Sequence, residues 1–129
     1  MIFDTDILIW GFRGDSNAAK VVDSCADRAA SIISLMEMLQ GAKSKSELKL
    51  IRIFLRDLGF QVIPVSEAIS QLAATLIEEH TLSYGLQLAD AMIAATARET
   101  GSDLVTGNVR HFRAIPQLEL KPFRPAARG

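Results

Sequence analysis

The sequence predicts an α/β fold: a mainly parallel central sheet of four to five strands between two layers of helices. Three observations predict it. Short apolar runs alternate with longer segments of helical periodicity, the pattern of strands joined by helical crossovers. Glycines close three of the helical segments, where helices end. The 129 residues are 49% apolar and 22% charged, an ordinary globular balance with enough chain for one core. A single domain over residues 1–122 is expected. Residues 123–129, with Arg124, Pro125 and Arg128, read as a mobile C-terminal tail.

The elements follow in order. Met1 to Phe3 is the first expected strand, followed by a short helical segment from Ile7 to Phe12 and another from about Ser16 to Asp27. Ala30 to Ile33 is the second strand. The helix from Leu35 to Ala42 ends around Gly41, and the next, Glu47 to Leu58, is stopped by Gly59. Ile51, Phe54, Leu55 and Leu58 form one apolar stripe on that helix, suited to the core or to a groove for a partner peptide. Phe60 to Val65 is the third strand. Ser66 is placed to cap a long helix, Glu67 to His80. Gln87 to Thr100, closed by Gly101, leads into a fourth strand at Asp103 to Val105. A short turn after Asn108 and a fifth strand at Leu118 to Leu120 complete the pattern.

Fourteen Lys and Arg against fifteen Asp and Glu give a net charge of −1. That excludes a protein that grips nucleic acid by bulk charge, and leaves room for a local basic rim. Cys25 is the single cysteine, so no intramolecular disulfide forms and a reducing compartment is expected. No run approaches the roughly eighteen uncharged apolar residues of a membrane span. The first residues carry two acids, Asp4 and Asp6, and no basic segment, unlike a secretory signal. The cytoplasm is the expected location. A mean hydropathy of +0.20 fits a buried sheet, with an apolar patch for a partner.

Ligands of a parallel α/β sheet sit at the carboxyl ends of its strands. Asp4, Thr5 and Asp6 follow the first strand, Ser34 and Glu37 the second, and Thr106 and Asn108 the fourth. Asp90 lies near the start of the helix leading into the fourth strand. No Ser–His or Cys–His pair occurs among them. Converging carboxylates are hard oxygen ligands suited to Mg²⁺ or Mn²⁺.

Each residue also has a structural use. Ser34-Leu-Met-Glu37 reads as a capping box. Asp4 can cap the short helix after it, and Asp6 can complement its dipole. Asp90 shares a helix face with Leu86, Ile93, Ala94 and Ala97, where a charge must be metal-bound or paired with a Lys or Arg. Asn108 suits a turn. The joint pattern is harder to explain by such uses than any one member. Cations available to an anionic substrate are Arg13, Lys43, Lys45, Arg110, His111 and Arg113. Lys43, Lys45 and Lys49 also read as a solvated helix rim. His111, beside Phe112, reads as structural rather than as a general base. Trp10 and Tyr84 could stack on a base or serve the core or an interface.

Four segments carry a resemblance. Met-Ile-Phe-Asp4-Thr5-Asp6-Ile-Leu-Ile is similar to the opening of PIN-domain proteins, especially the VapC toxins of VapBC toxin–antitoxin pairs. Ser34-Leu-Met-Glu37-Met-Leu-Gln-Gly41 resembles their second motif. Leu88-Ala-Asp90-Ala-Met-Ile-Ala-Ala-Thr-Ala97 is close to the third and is the most specific. Leu104-Val-Thr106-Gly-Asn108-Val-Arg-His111-Phe112 resembles the fourth. Order and spacing match over nearly the whole chain.

The resemblance implies a three-layer PIN-like fold and a Mg²⁺-dependent endoribonuclease, with Mn²⁺ as a substitute. It makes Asp4, Glu37 and Asp90 the catalytic, metal-binding carboxylates. Asn108 stands where many relatives carry aspartate, and offers a carbonyl or a hydrogen bond but no charge. Asp6, where relatives often have asparagine, restores part of that charge. Thr5, Ser34 and Thr106 become hydroxyls that orient carboxylates or phosphate. Arg13, Lys43, Arg110 and His111 become RNA contacts. A VapB-like antitoxin, an RNA substrate and a homodimer are the implied partners.

Other classes fit less well. Asp4-Thr5-Asp6 matches the opening of aspartate-dependent phosphoryl-transfer proteins of the haloacid dehalogenase type, but the late lysine and acidic pair of that family are not evident. Thr106 and Lys121-Pro122 mimic a receiver domain, whose third strand should end in an aspartate that Phe60 to Val65 does not supply. A non-catalytic PIN-like interaction module is the closest alternative, kept open by Asn108.

Overall fold

The computed structural model describes residues 1–126. Five strands form one fully parallel sheet: β1 (Ile2–Phe3), β2 (Ala29–Ser31), β3 (Gln61–Ile63), β4 (Leu104–Thr106) and β5 (Leu120–Pro122), in the order β3-β2-β1-β4-β5. Ile2 pairs with Ala29 on one side and Leu104 on the other, so β1 is central. Helices α1 (Thr5–Phe12) and α2 (Ser16–Asp23) join β1 to β2, and α3 (Ile32–Gln40) and α4 (Lys45–Asp57) join β2 to β3. Helices α5 (Glu67–Tyr84) and α6 (Leu88–Glu99) then carry the chain back across the sheet to β4. The short α7 (Val109–Phe112) precedes β5.

Side chains on a strand alternate between its faces, and here the alternation divides two cores. Phe3, Ala30 and Val105 pack with Ile7, Leu8, Leu35, Met38, Ile51 and Leu55 on the side of α1 to α4. Their neighbours Ile2 and Leu104 pack with Ile69, Leu76, Ile93 and Phe112 on the side of α5 to α7. This is the expected three-layer α/β/α architecture. Ile51 and Leu55 of the α4 stripe are buried, with Phe54 and Leu58 packed against the same core. On α6, Ala91, Ala94, Ala95 and Ala97 are all buried, and their small side chains let the helix lie close to the sheet.

Several boundaries differ from the sequence reading. Helix α3 starts at Ile32, because the Ser31 hydroxyl accepts from the Ile33 amide and caps it. Ser34 is therefore inside the helix, and Ser34 with Glu37 is not a capping box. Ser44 caps α4 through the Glu47 amide, so the helix starts at Lys45, two residues before the expected Glu47. Helix α5 runs past His80 to Tyr84 and ends at Gly85, whose φ of +69° only glycine adopts without strain. The folded unit also extends beyond residue 122. Phe123 is buried in the α1–α4 core, and the Ala126 amide donates to the Asp15 carboxylate. Residues 127–129, also assigned to the tail, lie outside the described residues. Among the described residues no helix is long and apolar enough to cross a membrane.

Candidate active site

The chain winds from β1 outward to β3, then returns to place β4 on the opposite side of β1. The carboxyl ends of β1 and β4 are thus the switch point of the sheet, where a crevice opens. Asp4 leaves β1 there, and Thr106 ends β4. The Thr106 hydroxyl donates to Asp4 Oδ2 at 2.7 Å, and the Thr5 amide donates to Asp4 Oδ1 at 2.8 Å. Asp4 is the N-cap of α1, so its structural use is real. It is also only 7% exposed. Burial is the largest influence on its carboxyl, followed by the charge of Asp6, with Asp90 adding a smaller share. Together they outweigh the two hydrogen bonds and push its pKa up to about 7.

Glu37 is reached through hydroxyls. Thr5 Oγ1 lies 2.7 Å from Glu37 Oε1 and 2.9 Å from Ser34 Oγ. A hydroxyl has one proton, and the carboxylate can only accept. The single Thr5 proton therefore goes to one acceptor at a time, the Glu37 carboxylate or the Ser34 hydroxyl. The buried face of α3 thus holds Ser34 under Thr5, while Glu37, one turn further on, stands exposed at the rim.

Asp6 is closer to this cluster than its place in the sequence alone suggests. Its Oδ1 accepts from the Ile7 amide at 2.8 Å and its Oδ2 from the Gly107 amide at 3.0 Å. Burial, ahead of these bonds, raises its pKa, and the Asp90 charge adds to the rise. Gly107 makes the contact possible: a Cβ there would sit 2.5 Å from Asp6 Oδ2 and 3.3 Å from the Phe123 carbonyl. Sequence reading assigned Gly107 no part. Its signal was a glycine between two polar residues at a strand end, where a backbone amide must lie bare.

Asp90 occupies the first turn of α6, where it accepts from the Gln87 amide at 3.4 Å. Its expected structural partner was a Lys or Arg. The partner found is His111, with Nδ1 at 3.2 Å from Asp90 Oδ2. Asn108 Nδ2 lies 2.7 Å from the same Nδ1. One ring nitrogen cannot accept from an amide and donate to a carboxylate at once. Either Nδ1 is bare and takes the Asn108 proton, or it is protonated and faces Asp90 with the Asn108 carbonyl turned toward it. Asn108 is further held by its own amide, which donates to Thr106 Oγ1 at 2.9 Å. Thr106, Asn108, His111 and Asp90 are therefore one connected chain of contacts leading from Asp4.

The cations stand around this crevice. Arg13 and Lys43 line a cleft of about 200 Å³ with Glu37 and Glu47, over a floor that includes Phe12 and Met38. Arg110, His111 and Arg113 line a separate cleft with Tyr84. Lys45 is exposed and lines neither. Trp10 is half-buried against the α1–α4 core.

A divalent ion would need oxygen donors from this set. Among the described residues no three acidic, histidine or cysteine side chains converge tightly enough to enclose one. A closed cage is therefore absent. Mg²⁺ does not require one, since it keeps several waters and takes one or two carboxylates. Asp4 meets that need. Its charge is disfavoured by burial and by two neighbouring acids, and among the described residues no cationic side chain forms an ion pair with it. The residues present fit a partly hydrated hard cation.

Fold and site define a three-layer α/β protein with a carboxylate-lined crevice at the switch point of a parallel sheet. The PIN domain profile matches residues 1–118, and the chain belongs to the PIN-domain family. Its likeness runs to the VapC proteins. Ribonuclease VapC19 of Mycobacterium tuberculosis is 32% identical over 123 residues, covering 92% of this chain and 96% of that protein. A toxin–antitoxin complex from Klebsiella pneumoniae contains a chain 34% identical, with a TM-score of 0.77 over 91% of this chain and 93% of that one. VapBC2 from Rickettsia felis, solved on a DNA fragment from its promoter, gives a TM-score of 0.82 at 25% identity, over 96% and 100% of the two chains.

Proposed function

We propose that this protein is a metal-dependent endoribonuclease, the toxin of a type II toxin–antitoxin pair. The observation that carries the reading is the burial of Asp4 at the switch point together with its crowding by Asp6 and Asp90; burial first, then the neighbouring charges, raises its carboxyl to about 7. A structural acid gains nothing from such crowding, whereas a cation site needs it. The similar proteins named ribonuclease VapC and the similar toxin–antitoxin complexes support the same reading.

Asp4, Glu37 and Asp90 would hold the cation, Mg²⁺ with Mn²⁺ as a substitute. Phosphodiester hydrolysis needs an activated water and a stabilised leaving oxygen, and a divalent ion supplies both. The chain's own residues set the stage. Thr106 and the Thr5 amide fix both oxygens of Asp4. The Thr5 hydroxyl orients Glu37, backed by Ser34. His111 and Asn108 steady Asp90, and Asp6 adds negative charge. Arg13, Lys43, Arg110 and His111 give an RNA phosphate a positive approach to a negative centre. A VapB-like antitoxin and a second copy of the chain complete the assembly, in the cytoplasm.

The test is cleavage mapping on total RNA, with the chain in Mg²⁺, in Mn²⁺ and in EDTA. Discrete cuts in either metal, absent in EDTA and absent with Asp90→Asn, are expected. A wild-type chain that is stabilised by Mn²⁺ but cuts no RNA would favour a non-catalytic interaction module, the reading that the neutral Asn108 allows.

A further inference from the structure

Helix α1 begins at the acids, with Asp4 as its N-cap and Thr5 and Asp6 in its first turn. There the Thr106 hydroxyl donates to Asp4 Oδ2 and the Gly107 amide to Asp6 Oδ2. Just past the other end of α1, the Asp15 amide donates to the Trp10 carbonyl, and Asp15 caps α2. Asp15 divides its oxygens between two tasks. Oδ2 accepts from the Ala18 amide at 3.0 Å, while Oδ1 accepts from the Ala126 amide at 2.9 Å. Asn17 Nδ2 adds a bond to the Arg124 carbonyl at 3.2 Å. Residues 123–126 therefore reach from the acids to the start of α2. The Phe123 amide donates to the Thr106 carbonyl at 2.9 Å, one step beyond the last paired residue of β5. The Phe123 carbonyl lies against Gly107, where a Cβ would come within 3.3 Å of it. The Phe123 side chain is buried in the core that holds Ile7 and Leu8 of α1 and Ala18 of α2. A closed circuit results, from Asp4 to Thr106, from Thr106 to Phe123, from Ala126 to Asp15, and back along α1.

We propose that residues 123–126 form a strap, with Phe123 as a positioning residue that sets Thr106 and Gly107 against Asp4 and Asp6. The inference rests on the cation-binding reading of the acids and adds to it a part that touches none of them. Thr106 faces both ways. Its hydroxyl holds Asp4 and its carbonyl holds the strap, so a shift of the backbone at Phe123 reaches the hydroxyl within one residue. Gly107 lies between the Phe123 carbonyl and Asp6 Oδ2, and moves with the same backbone. Close-packed interiors transmit such shifts rather than absorb them. A side chain that only filled the core would matter to stability alone. A strap also matters to how well the acids receive a cation.

The experiment is a calorimetric Mn²⁺ titration of the full chain, at a temperature where circular dichroism shows each variant folded. Phe123→Ala should weaken Mn²⁺ binding by about tenfold, as the loss of an outer partner does at a metal site. Phe123→Leu still fills the pocket and should stay close to wild type. Ala126→Pro removes only the amide that reaches Asp15 and leaves the ring in place. It should weaken binding in the same direction by a smaller factor, and shift the Gly107 amide resonance of the metal-free protein. Leu76→Ala is the control. It opens the core on the other face of the sheet, costs stability without touching the strap, and should bind Mn²⁺ as wild type does. Wild-type affinity in Phe123→Ala, or in Ala126→Pro with an unmoved Gly107 resonance, would overturn the strap and leave the cation reading standing. An equal loss of affinity in Leu76→Ala would overturn it as well, since Phe123 would then act through stability alone. If Phe123→Ala does not fold, Ala126→Pro decides. A wild type that binds no Mn²⁺ would overturn the cation reading and the strap with it.

Discussion

Asp4 and Asp90 face the same crevice but are held in opposite ways. Asp4 is 7% exposed, with both oxygens fixed by short bonds from Thr106 and the Thr5 amide. The Asp90 side chain is 19% exposed and rests on two long contacts, 3.4 Å from the Gln87 amide and 3.2 Å from His111. The difference separates two tasks. Asp4 supplies a fixed position and an electrostatic demand, because its charge is costly until something positive arrives. Asp90 supplies adjustment, because its donors can be exchanged for a cation or its water at little loss.

The largest effect that could break this contrast is its pH dependence. The Asp4 carboxyl is raised in the folded chain from 3.8 to about 7. The folded state therefore binds this proton more tightly than the unfolded state. The resulting stability is full below about pH 4 and is lost as pH rises through 7, on the order of 4 kcal/mol in the metal-free protein. Asp6 shifts in the same direction. Urea unfolding in EDTA from pH 4 to 8 should show the decline, and Mn²⁺ should restore more stability at pH 7.5 than at pH 5.5, since the cation displaces the proton. Thr106→Val sharpens the contrast from the Asp4 side. It removes the hydroxyl that favours the charged carboxylate and should weaken Mn²⁺ binding by about 10- to 100-fold in a calorimetric titration.

Gly107→Ala comes next. The new methyl meets Asp6 Oδ2, so the carboxylate must leave the Gly107 amide. A loss of about 1–2 kcal/mol in chemical unfolding is expected, with weaker metal response. The smallest effect belongs to Asn108→Asp, which adds charge on the half-buried Asp90 side. It should lower metal-free stability by only about 0.5 kcal/mol while tightening Mn²⁺ binding. If Asn108→Asp cost more than Gly107→Ala, the division between a fixed and an adjustable half would not hold.

Much of this was legible in the sequence. The apolar runs fall on four strands and overlap the fifth at Leu120, the carboxyl-end rule pointed to Asp4 and Thr106, and the apolar helix face singled out Asp90. Contacts across long stretches of chain were not legible. No local pattern announces that Gly107 receives Asp6, or that His111 rather than a lysine or arginine meets Asp90. Local patterns also competed. Ser31 and Ser34 are both plausible caps, and Ser31 wins because β2 ends there, which frees Ser34 to face Thr5. Likewise Phe123 lies among prolines and arginines and reads as tail, yet an apolar pocket beside Val105 and Phe3 takes it in.

The most direct measurement is thermal unfolding of wild type and Asp90→Asn, each in EDTA and in Mn²⁺. Asparagine keeps an acceptor for the Gln87 amide, so the cap survives and only charge is lost. A wild-type Tm that rises with Mn²⁺, beside a variant more stable in EDTA and indifferent to Mn²⁺, is the predicted result. A wild type blind to Mn²⁺, with a variant less stable in EDTA, would contradict the account and make Asp90 the structural partner of His111 alone.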